Sequence, residues 1–492
     1  MTLAEVLAGV ALKSVIPEEI AARTVAGLDY DSRKIDQNFL FFAFAGSRAD
    51  GRQFAMTAME RGAVAVVSDF GIPQDFSSAW IQVEHGRQAL ALAARNFYGG
   101  LDARICLTGT TGTNGKTTTS YLIDSILRAA GKTTALVGTI EYHLGNQIFP
   151  AVNTTPESLD LYRLLHRLEG IGGTHATMEV SSHALALGRV YGLRFHTAVF
   201  TNLTRDHLDF HHTMEDYFAA KELLFTGAGA PPPAFAAINS DDPYGMQIRT
   251  APETTVLRYG TGPDAEVKAR HIASSFDGLR FEVHNGKARF NIESRLIGRI
   301  NVYNILAACC VGLSYRFPVE TIARGIADCA GIPGRFERVD EGQPFVVVVD
   351  YSHTDDALRN AILVARGLQP RKVITLFGCG GDRDRTKRPV MGEVAAELSD
   401  LVVLTSDNPR SEDPLQIMND VMVGLRRKDT RLIVEPDRAE AIRRAIEEAQ
   451  PGDFVILAGK GHETYQVLGD RTIPFDDRAI AREVLRGYGF KK

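Results

Sequence analysis

The sequence predicts an α/β protein of three domains, with a phosphate-loop parallel sheet at the centre and a second, doubly wound parallel sheet at the C-terminal end. Three observations carry this. The chain has 492 residues, too many for one core of ordinary size, and such a length suggests about three domains. An apolar run at Ile105, Cys106 and Leu107 leads into Thr111-Gly112-Thr113-Asn114-Gly115-Lys116-Thr117-Thr118-Thr119. A helical pattern of Leu122, Ile123, Ile126 and Leu127 follows and is closed by Gly131. Beyond residue 333, five apolar runs alternate with helical patterns.

Composition narrows the class. Apolar residues make up 45% and charged residues 23% of the chain, the balance of a soluble globular protein. A net charge of -5, from 55 basic and 60 acidic residues, gives no general nucleic-acid footprint, so a nucleotide has to be held by a local site. Cys106, Cys309, Cys310, Cys329 and Cys379 form no CxxC pair, which predicts reduced thiols in a cytosolic protein and neither a disulfide framework nor a zinc ribbon. The first twenty residues carry Glu5, Lys13, Glu18 and Glu19, which predicts neither a signal peptide nor membrane insertion.

The first unit, residues 1–100, reads as a small α/β domain. Strand-like runs at Phe39 to Phe44 and Ala63 to Val67 flank a helical pattern from Phe54 to Arg61, and Asp31-Ser32-Arg33 and residues 46–51 form polar loops. Nothing in it looks catalytic on its own.

The second unit, residues 101–332, begins with the phosphate loop. Its glycines let backbone N–H groups converge on phosphate oxygens, and the helix that follows adds its free N-terminal donors. Lys116 suits the terminal phosphates and the Thr117 hydroxyl suits magnesium. The strict pattern has glycine five positions before Gly115, where this chain has Thr110, with Gly109 beside it. Later apolar runs at 176–180, 197–200 and 235–238 end in polar residues: Glu179-Val-Ser181-Ser182-His183 after the first, Asn202 to His212 after the second. In an open parallel sheet such ends face the ligand. Residues 267–296 alternate apolar and polar around Asp277-Gly278 and Asn285-Gly286, which predicts antiparallel hairpins.

Near Gly331-Ile-Pro333-Gly334 a turn-rich linker marks the boundary to the third unit, residues 333–492. Apolar runs at 345–349, 373–377, 401–404, 432–434 and 454–457 predict five parallel strands. Their ends carry Asp350-Tyr-Ser-His353, residues 378–385, Asp407-Asn408-Pro409-Arg410 and Gly459-Lys460-Gly461-His462-Glu463. One edge of that sheet is therefore lined with charge, as a site facing the phosphate loop requires.

With these residues assembled, the chain resembles the Mur ligases along its whole length, and within them the synthetases that add the third residue of the peptidoglycan stem peptide. The carrying motifs are the phosphate loop, Asn153-Thr-Thr-Pro-Glu, Glu179-Val-Ser-Ser-His-Ala-Leu and Thr201-Asn-Leu-Thr-Arg-Asp-His-Leu-Asp. Further along come Gly298-Arg-Ile-Asn-Val-Tyr-Asn304, Pro333-Gly-Arg-Phe-Glu337, Gly378-Cys-Gly-Gly-Asp-Arg-Asp384 and Asp407-Asn-Pro-Arg.

The resemblance implies a domain for the UDP end of the substrate, a P-loop ATPase domain and a Rossmann-like C-terminal domain closing over nucleotide and amino acid. It implies an ATP- and Mg2+-dependent ligase that joins meso-diaminopimelate to UDP-N-acetylmuramoyl-L-alanyl-D-glutamate through an acyl phosphate. Such a ligase works as a monomer in cytoplasmic peptidoglycan precursor synthesis, and hence in cell wall biogenesis, cell shape and cell division.

Site residues follow from the same resemblance. Lys116, Glu179, His207 and Lys221 carry the chemistry. Thr117 and Glu179 ligate one magnesium, and His207 with a carbamylated Lys221 serves a second; on sequence alone Lys221 is an ordinary helical lysine. Gly112, Thr113, Asn114, Gly115, Lys116, Thr117 and Thr118 cradle the nucleotide. Asn301 and His353 contact adenine, Asp350 the ribose, and Arg335 the phosphates or the closing interface. Thr154, Thr155, Ser181 and Arg189 hold the UDP-muramoyl-dipeptide, with Ser32 and Ser47-Arg48-Ala49 at its uridine end. Arg383, Asp407, Asn408, Pro409, Arg410, Gly459 and Glu463 form the amino-acid pocket.

The chain departs from the family pattern at Leu187, where some members have a substrate-contacting glutamine, and at Ser352 and Asp355, where Ala and Pro are common. The second departure is expected to matter little. Other readings remain at this point. A lysine-adding relative usually lacks the arginine of Asp-Asn-Pro-Arg. A folylpolyglutamate synthetase-like ligase lacks the N-terminal Asp-Ser-Arg domain. A non-catalytic nucleotide binder needs no Lys116, Glu179, His207 and Lys221 set. A carbamylated-lysine amidohydrolase leaves the phosphate loop unexplained, and His207, His211 and His212 lack the HExxH spacing of a zinc site.

Overall fold

The computed structural model describes residues 1–46, 50–286 and 288–491. Three large sheets with helices against them follow one another along the chain, and a two-stranded antiparallel hairpin, Tyr465–Leu468 and Arg471–Pro474, comes after the third. The first is a four-stranded parallel sheet of Gly27–Asp29, Phe39–Phe42, Ala65–Ser68 and Trp80–Gln82 in that order. Its middle strands are mostly apolar and, apart from half-buried Phe39, buried on both faces, the pattern of a strand covered by helices on either side.

The central sheet has eleven strands. Strand Cys106–Thr111 lies between His175–Glu179 and Thr197–Phe200, with Thr110 beside Glu179 and Thr111 beside Phe200. That register puts three carboxyl ends side by side: the phosphate loop, Glu179 and the Thr201-Asn202 segment. The expected hairpins exist as a continuous antiparallel extension, Val267–Ser275, Gly278–Asn285 and Ala288–Ser294. At the opposite edge, Thr134–Val137, Glu141–Leu144 and Gln147–Pro150 form a second antiparallel extension that the sequence reading missed.

Helix Lys116–Ala129 starts at Gly115 and covers this sheet. It buries Leu122, Ile123, Ile126 and Leu127 almost completely, each worth about 1.5–3 kcal/mol relative to exposure. Helices Ile300–Ser314 and Val319–Asp328 pack on it, and the second approaches through Gly325: a Cβ there would lie 2.5 Å from the Ile126 Cα.

The third sheet has six strands in the order Glu337–Val339, Val346–Asp350, Phe454–Ala458, Val373–Phe377, Leu401–Leu404 and Arg431–Val434. The five expected strands are parallel, and the first, Glu337–Val339, adds an antiparallel edge that the polar Glu-Arg-Val run did not announce. Phe454–Ala458, the last of this sheet's strands in sequence, inserts next to Val346–Asp350, so the Gly459 loop emerges between Asp350 and the Phe377 loop. The five cysteines are free thiols. Among the described residues, no helix is long and apolar enough to cross a membrane.

Candidate active site

The phosphate loop is shaped by close packing. At Gly112 the backbone has φ +148°, and a Cβ would lie 1.9 Å from the Thr201 hydroxyl oxygen, so no larger residue fits. Asn202 pins the loop from the neighbouring strand: its Oδ1 accepts from the Asn114 N–H at 2.9 Å, and its amide donates to the Asn114 carbonyl at 3.0 Å. Thr110, in the position of the missing glycine, is a buried residue of the strand itself and lies before the turn, which explains why glycine is dispensable there.

Charge is concentrated above this loop. The Lys116 ammonium donates to the carbonyls of Gly112 and Thr113 at 2.9 and 2.8 Å, and burial lowers its pKa. The Thr117 hydroxyl donates to Glu179 at 3.0 Å. Glu179 is held in turn by the N–H and hydroxyl of Thr139, at 2.8 and 3.0 Å. Arg335, from the third domain, donates to the Thr117 hydroxyl oxygen at 3.3 Å and stacks on Tyr351 at 4.4 Å.

Lys221 lies on helix Met214–Thr226, which Thr213 caps by accepting from the Asp216 N–H. Positions 217, 221, 224 and 225 share the inward face of that helix. Lys221 is 1% exposed, and its ammonium donates to the Gly112 carbonyl at 2.9 Å and lies 4.4 Å from the centre of the Tyr217 ring. No carboxylate pairs with it among the described residues. Burial, reinforced by the nearby Lys116 charge, lowers its pKa well below the ordinary lysine value. His207 has φ +54°, lies 3.4 Å from Asp206, and packs edge-on against His183 with ring centres 4.8 Å apart. Burial pushes its pKa down to about 4.

Two clefts meet here. One, of about 230 Å³, runs from Thr113–Thr118 past Thr154, Glu179 and Ser181 to Lys221 and Arg335. The other, of about 780 Å³, is bounded by Arg383, Asp407, Asn408, Arg410, Gly459 and Glu463. Asp206, His207, Tyr351, His353 and Thr354 line both.

The expected residues divide accordingly. Lys116, Thr117, Glu179, His207, Lys221, Arg335 and His353 come together at the phosphate loop, and the amino-acid set comes together in the larger cleft, with Pro409 in its wall turn. Thr155 and Arg189 lie behind the first cleft. The Thr155 hydroxyl donates to the Glu179 carbonyl at 2.8 Å, and Arg189 pairs with Glu157 at 3.0 Å.

Asn301 and Asp350 line neither cleft. The Asn301 amide donates to the Ile297 carbonyl, and its oxygen accepts from Asn304. Asp350 accepts from the Phe336 N–H at 2.7 Å and, on its other oxygen, from the N–H and hydroxyl of Ser352. The serine expected to matter little is thus bonded to the carboxylate expected to hold the ribose. Ser32 is buried at the start of a short turn in the first domain, and Ser47, Arg48 and Ala49 lie outside the described residues.

Sequence reasoning missed several contributors. Asp356 accepts from the Asn114 side chain at 2.9 Å and from the Thr204 hydroxyl at 3.2 Å, tying the third domain to the phosphate loop. Lys387 donates to the His353 carbonyl, and Lys460 lies buried among Asp407, Asn408 and Glu463. Asp356 lies in the first turn of helix Asp355–Gly367, six residues after Asp350, a signal that was available. Only the fold could give the Lys460 contacts.

The oxygen donors suit a hard cation. Thr117 and Glu179 face each other at the mouth of the loop, and among the described residues no group of three or more His, Cys, Asp or Glu forms a ready cage. Magnesium is commonly held in this way, by one or two carboxylates together with substrate phosphates.

Comparisons with known proteins agree along the whole chain. A family profile described as the Mur ligase middle domain matches residues 110–312. Profiles described as the Mur ligase glutamate ligase domain and the Mur ligase catalytic domain match 334–461 and 24–98. A protein of Solibacter usitatus named UDP-N-acetylmuramoyl-L-alanyl-D-glutamate--2,6-diaminopimelate ligase is 67% identical over 490 residues, covering 100% of this chain and 99% of its own. One of the same name from Geobacillus thermodenitrificans is 46% identical, covering 94% and 95%. A solved structure of an enzyme of that name superposes with a TM-score of 0.71 at 32% identity, covering 99% of each chain. With three profiles in order along the sequence and a relative two-thirds identical from end to end, the chain belongs to the Mur ligase family.

Proposed function

We propose that this protein is the ATP-dependent ligase that adds meso-diaminopimelate to UDP-N-acetylmuramoyl-L-alanyl-D-glutamate. One observation carries the reading: the cleft at the phosphate loop and the charge-lined cleft of the third domain share a wall of Asp206, His207, Tyr351, His353 and Thr354. A phosphorylated intermediate formed in the first can therefore be met by an amine held in the second. The relatives' names support the same substrates.

In this reading residues 1–100 take the UDP end, 101–332 the ATP and 333–492 the amino acid. The substrate carboxylate, guided by Thr154 and Ser181, attacks the γ-phosphorus; the bond to the ADP oxygen breaks and an acyl phosphate forms. The free amine of diaminopimelate then attacks the acyl carbon, phosphate leaves, and the amine proton is lost to solvent. Lys116 and Arg335 hold the phosphates in line and offset their charge, which is most of what such a transfer requires.

Thr117 and Glu179 would hold Mg2+, which when bound neutralises charge on the transferring phosphate. Lys221, buried with no carboxylate paired to it among the described residues, suits carbamylation: the modification would exchange a cation for an anionic oxygen donor beside His207. Arg410 selects diaminopimelate over lysine, because its planar fork matches the distal carboxylate that lysine lacks. The test is phosphate release from ATP and Mg2+ with the UDP-muramoyl-dipeptide, offered either amino acid. Release with diaminopimelate and not with lysine is expected; release with neither refutes the reading.

A further inference from the structure

Lysines are almost never fully buried unless they are paired, and Lys460 has no exposed surface. Its ammonium lies 3.0 Å from the Asn408 Oδ1, 3.3 Å from the Glu463 Oε2 and 3.5 Å from the Asp407 Oδ1. The Tyr465 ring lies beyond, with its centre 5.9 Å away. Those contacts are linked to one another. The Asn408 amide donates to Glu463 at 2.8 Å, and its oxygen also accepts from the Val467 N–H at 3.0 Å. Gly459, immediately before the lysine, has φ +113°, and a Cβ there would lie 2.8 Å from the Asp407 Oδ2, so the loop that delivers Lys460 is pressed against Asp407.

We infer that Lys460 is a positioning residue that fixes Asp407, Asn408 and Glu463 in the amino-acid pocket and sets the charge they present to the distal ammonium of the substrate. This rests on the proposed reading of that pocket. Two carboxylates and one ammonium leave one negative charge, the complement of one ammonium. Two further buried cations do not alter the count: Arg438 is wholly buried and forms a two-pronged pair with the equally buried Asp477, and Arg388 pairs with Glu412 and Asp420. Arg438 instead donates to the carbonyls of Ser406 and Ala458, the residues before Asp407 and Gly459.

Without Lys460, two carboxylates share a site with no cation between them. Like charges in a desolvated site drive one of them to take a proton or to move apart. Either response spoils the ammonium site and leaves the phosphate loop untouched.

The test uses the full-length enzyme with ATP, Mg2+ and UDP-muramoyl-dipeptide, comparing wild type, Lys460→Met and Lys460→Arg. The methionine variant should raise KM for diaminopimelate at least about tenfold, with kcat and KM for ATP changed less than about threefold, and arginine should recover most of the loss. An unchanged KM for diaminopimelate, or a parallel rise in KM for all three substrates, overturns the inference. If the methionine variant fails to fold, Lys460→Gln keeps a donor toward Asn408 without the charge, and a wild-type KM in that variant overturns it equally. A wild-type enzyme that does not use diaminopimelate refutes the proposed function itself, and the inference falls with it.

Discussion

Arg410→Ala tests the amino-acid assignment most directly. The guanidinium is half-buried in the larger cleft and lies on a residue with φ +52°, a conformation that alanine shares no more easily, so the backbone term largely cancels. One nitrogen, Nη1, donates to the Gly381 carbonyl at 2.7 Å. Among the described residues, the Nε and Nη2 atoms have no hydrogen-bond partner, which leaves an edge of the fork for a carboxylate. A hydrogen bond to a charged group contributes about 1.5–3 kcal/mol, and the variant loses the carboxylate pair together with the anchor of the Gly381 turn. The expected result is a drop in kcat/KM for diaminopimelate of at least about a hundredfold, roughly 2.7 kcal/mol, with KM for ATP nearly unchanged. Arg410→Lys keeps the charge without the fork and should fall between. The assay is initial-rate phosphate release with each substrate varied in turn. A variant that keeps its preference for diaminopimelate, or a wild type that uses lysine as well, would refute the specificity argument while leaving the ligase assignment standing.

Three further outcomes follow from the same geometry. Lys221→Ala should abolish turnover, and added short-chain carboxylic acids should restore part of it by supplying the lost oxygen donor; wild-type activity in that variant disposes of the modified lysine. His175 is buried against Tyr315 and Phe317, and burial lowers its pKa from 6.5 to about 4. The unfolded chain therefore binds the proton first, and the stability His175 contributes is complete above pH 6.5 and lost as the pH falls toward 4. Thermal melts of His175→Gln should show a shallower decline over that window than wild type, and parallel curves would contradict it. Gly325→Ala should destabilise by about 1–3 kcal/mol through overpacking, because the new methyl meets the backbone of Ile126; an unchanged urea midpoint would mean that the two helices separate at no cost.

The phosphate loop was legible because its chemistry is local: Gly112, Gly115, Lys116 and Thr117 act within six residues, and an apolar run and a helix on either side identify them. Glu179 and the Thr201-Asn202 segment were legible as polar strand ends, but not the strand order that sets them on either side of Cys106–Thr111. Short polar strands escaped notice for a different reason. Glu141–Leu144 and Gln147–Pro150 alternate weakly, although Gly145-Asn146 between them is a hairpin signal that was present in the sequence.

The harder failures are electrostatic. Charged residues at the third sheet's edge can be enumerated from the sequence, and that enumeration found Asp407, Arg410 and Glu463. It could not reveal that Lys460 and Arg438 are both wholly buried, nor that Asp477, from the last helix, pairs with Arg438 while Lys460 is shared between Asp407 and Glu463. In water such charges would be screened and their pairing would matter little; in a buried site each unpaired charge carries a large desolvation penalty, so the pairing decides what the pocket accepts. Asp350 shows the same limit: its carboxylate accepts from Phe336 and Ser352, partners that the motif alone does not announce. A residue type at a motif position gives the chemistry available there, and only its partners determine whether that chemistry is free for a ligand.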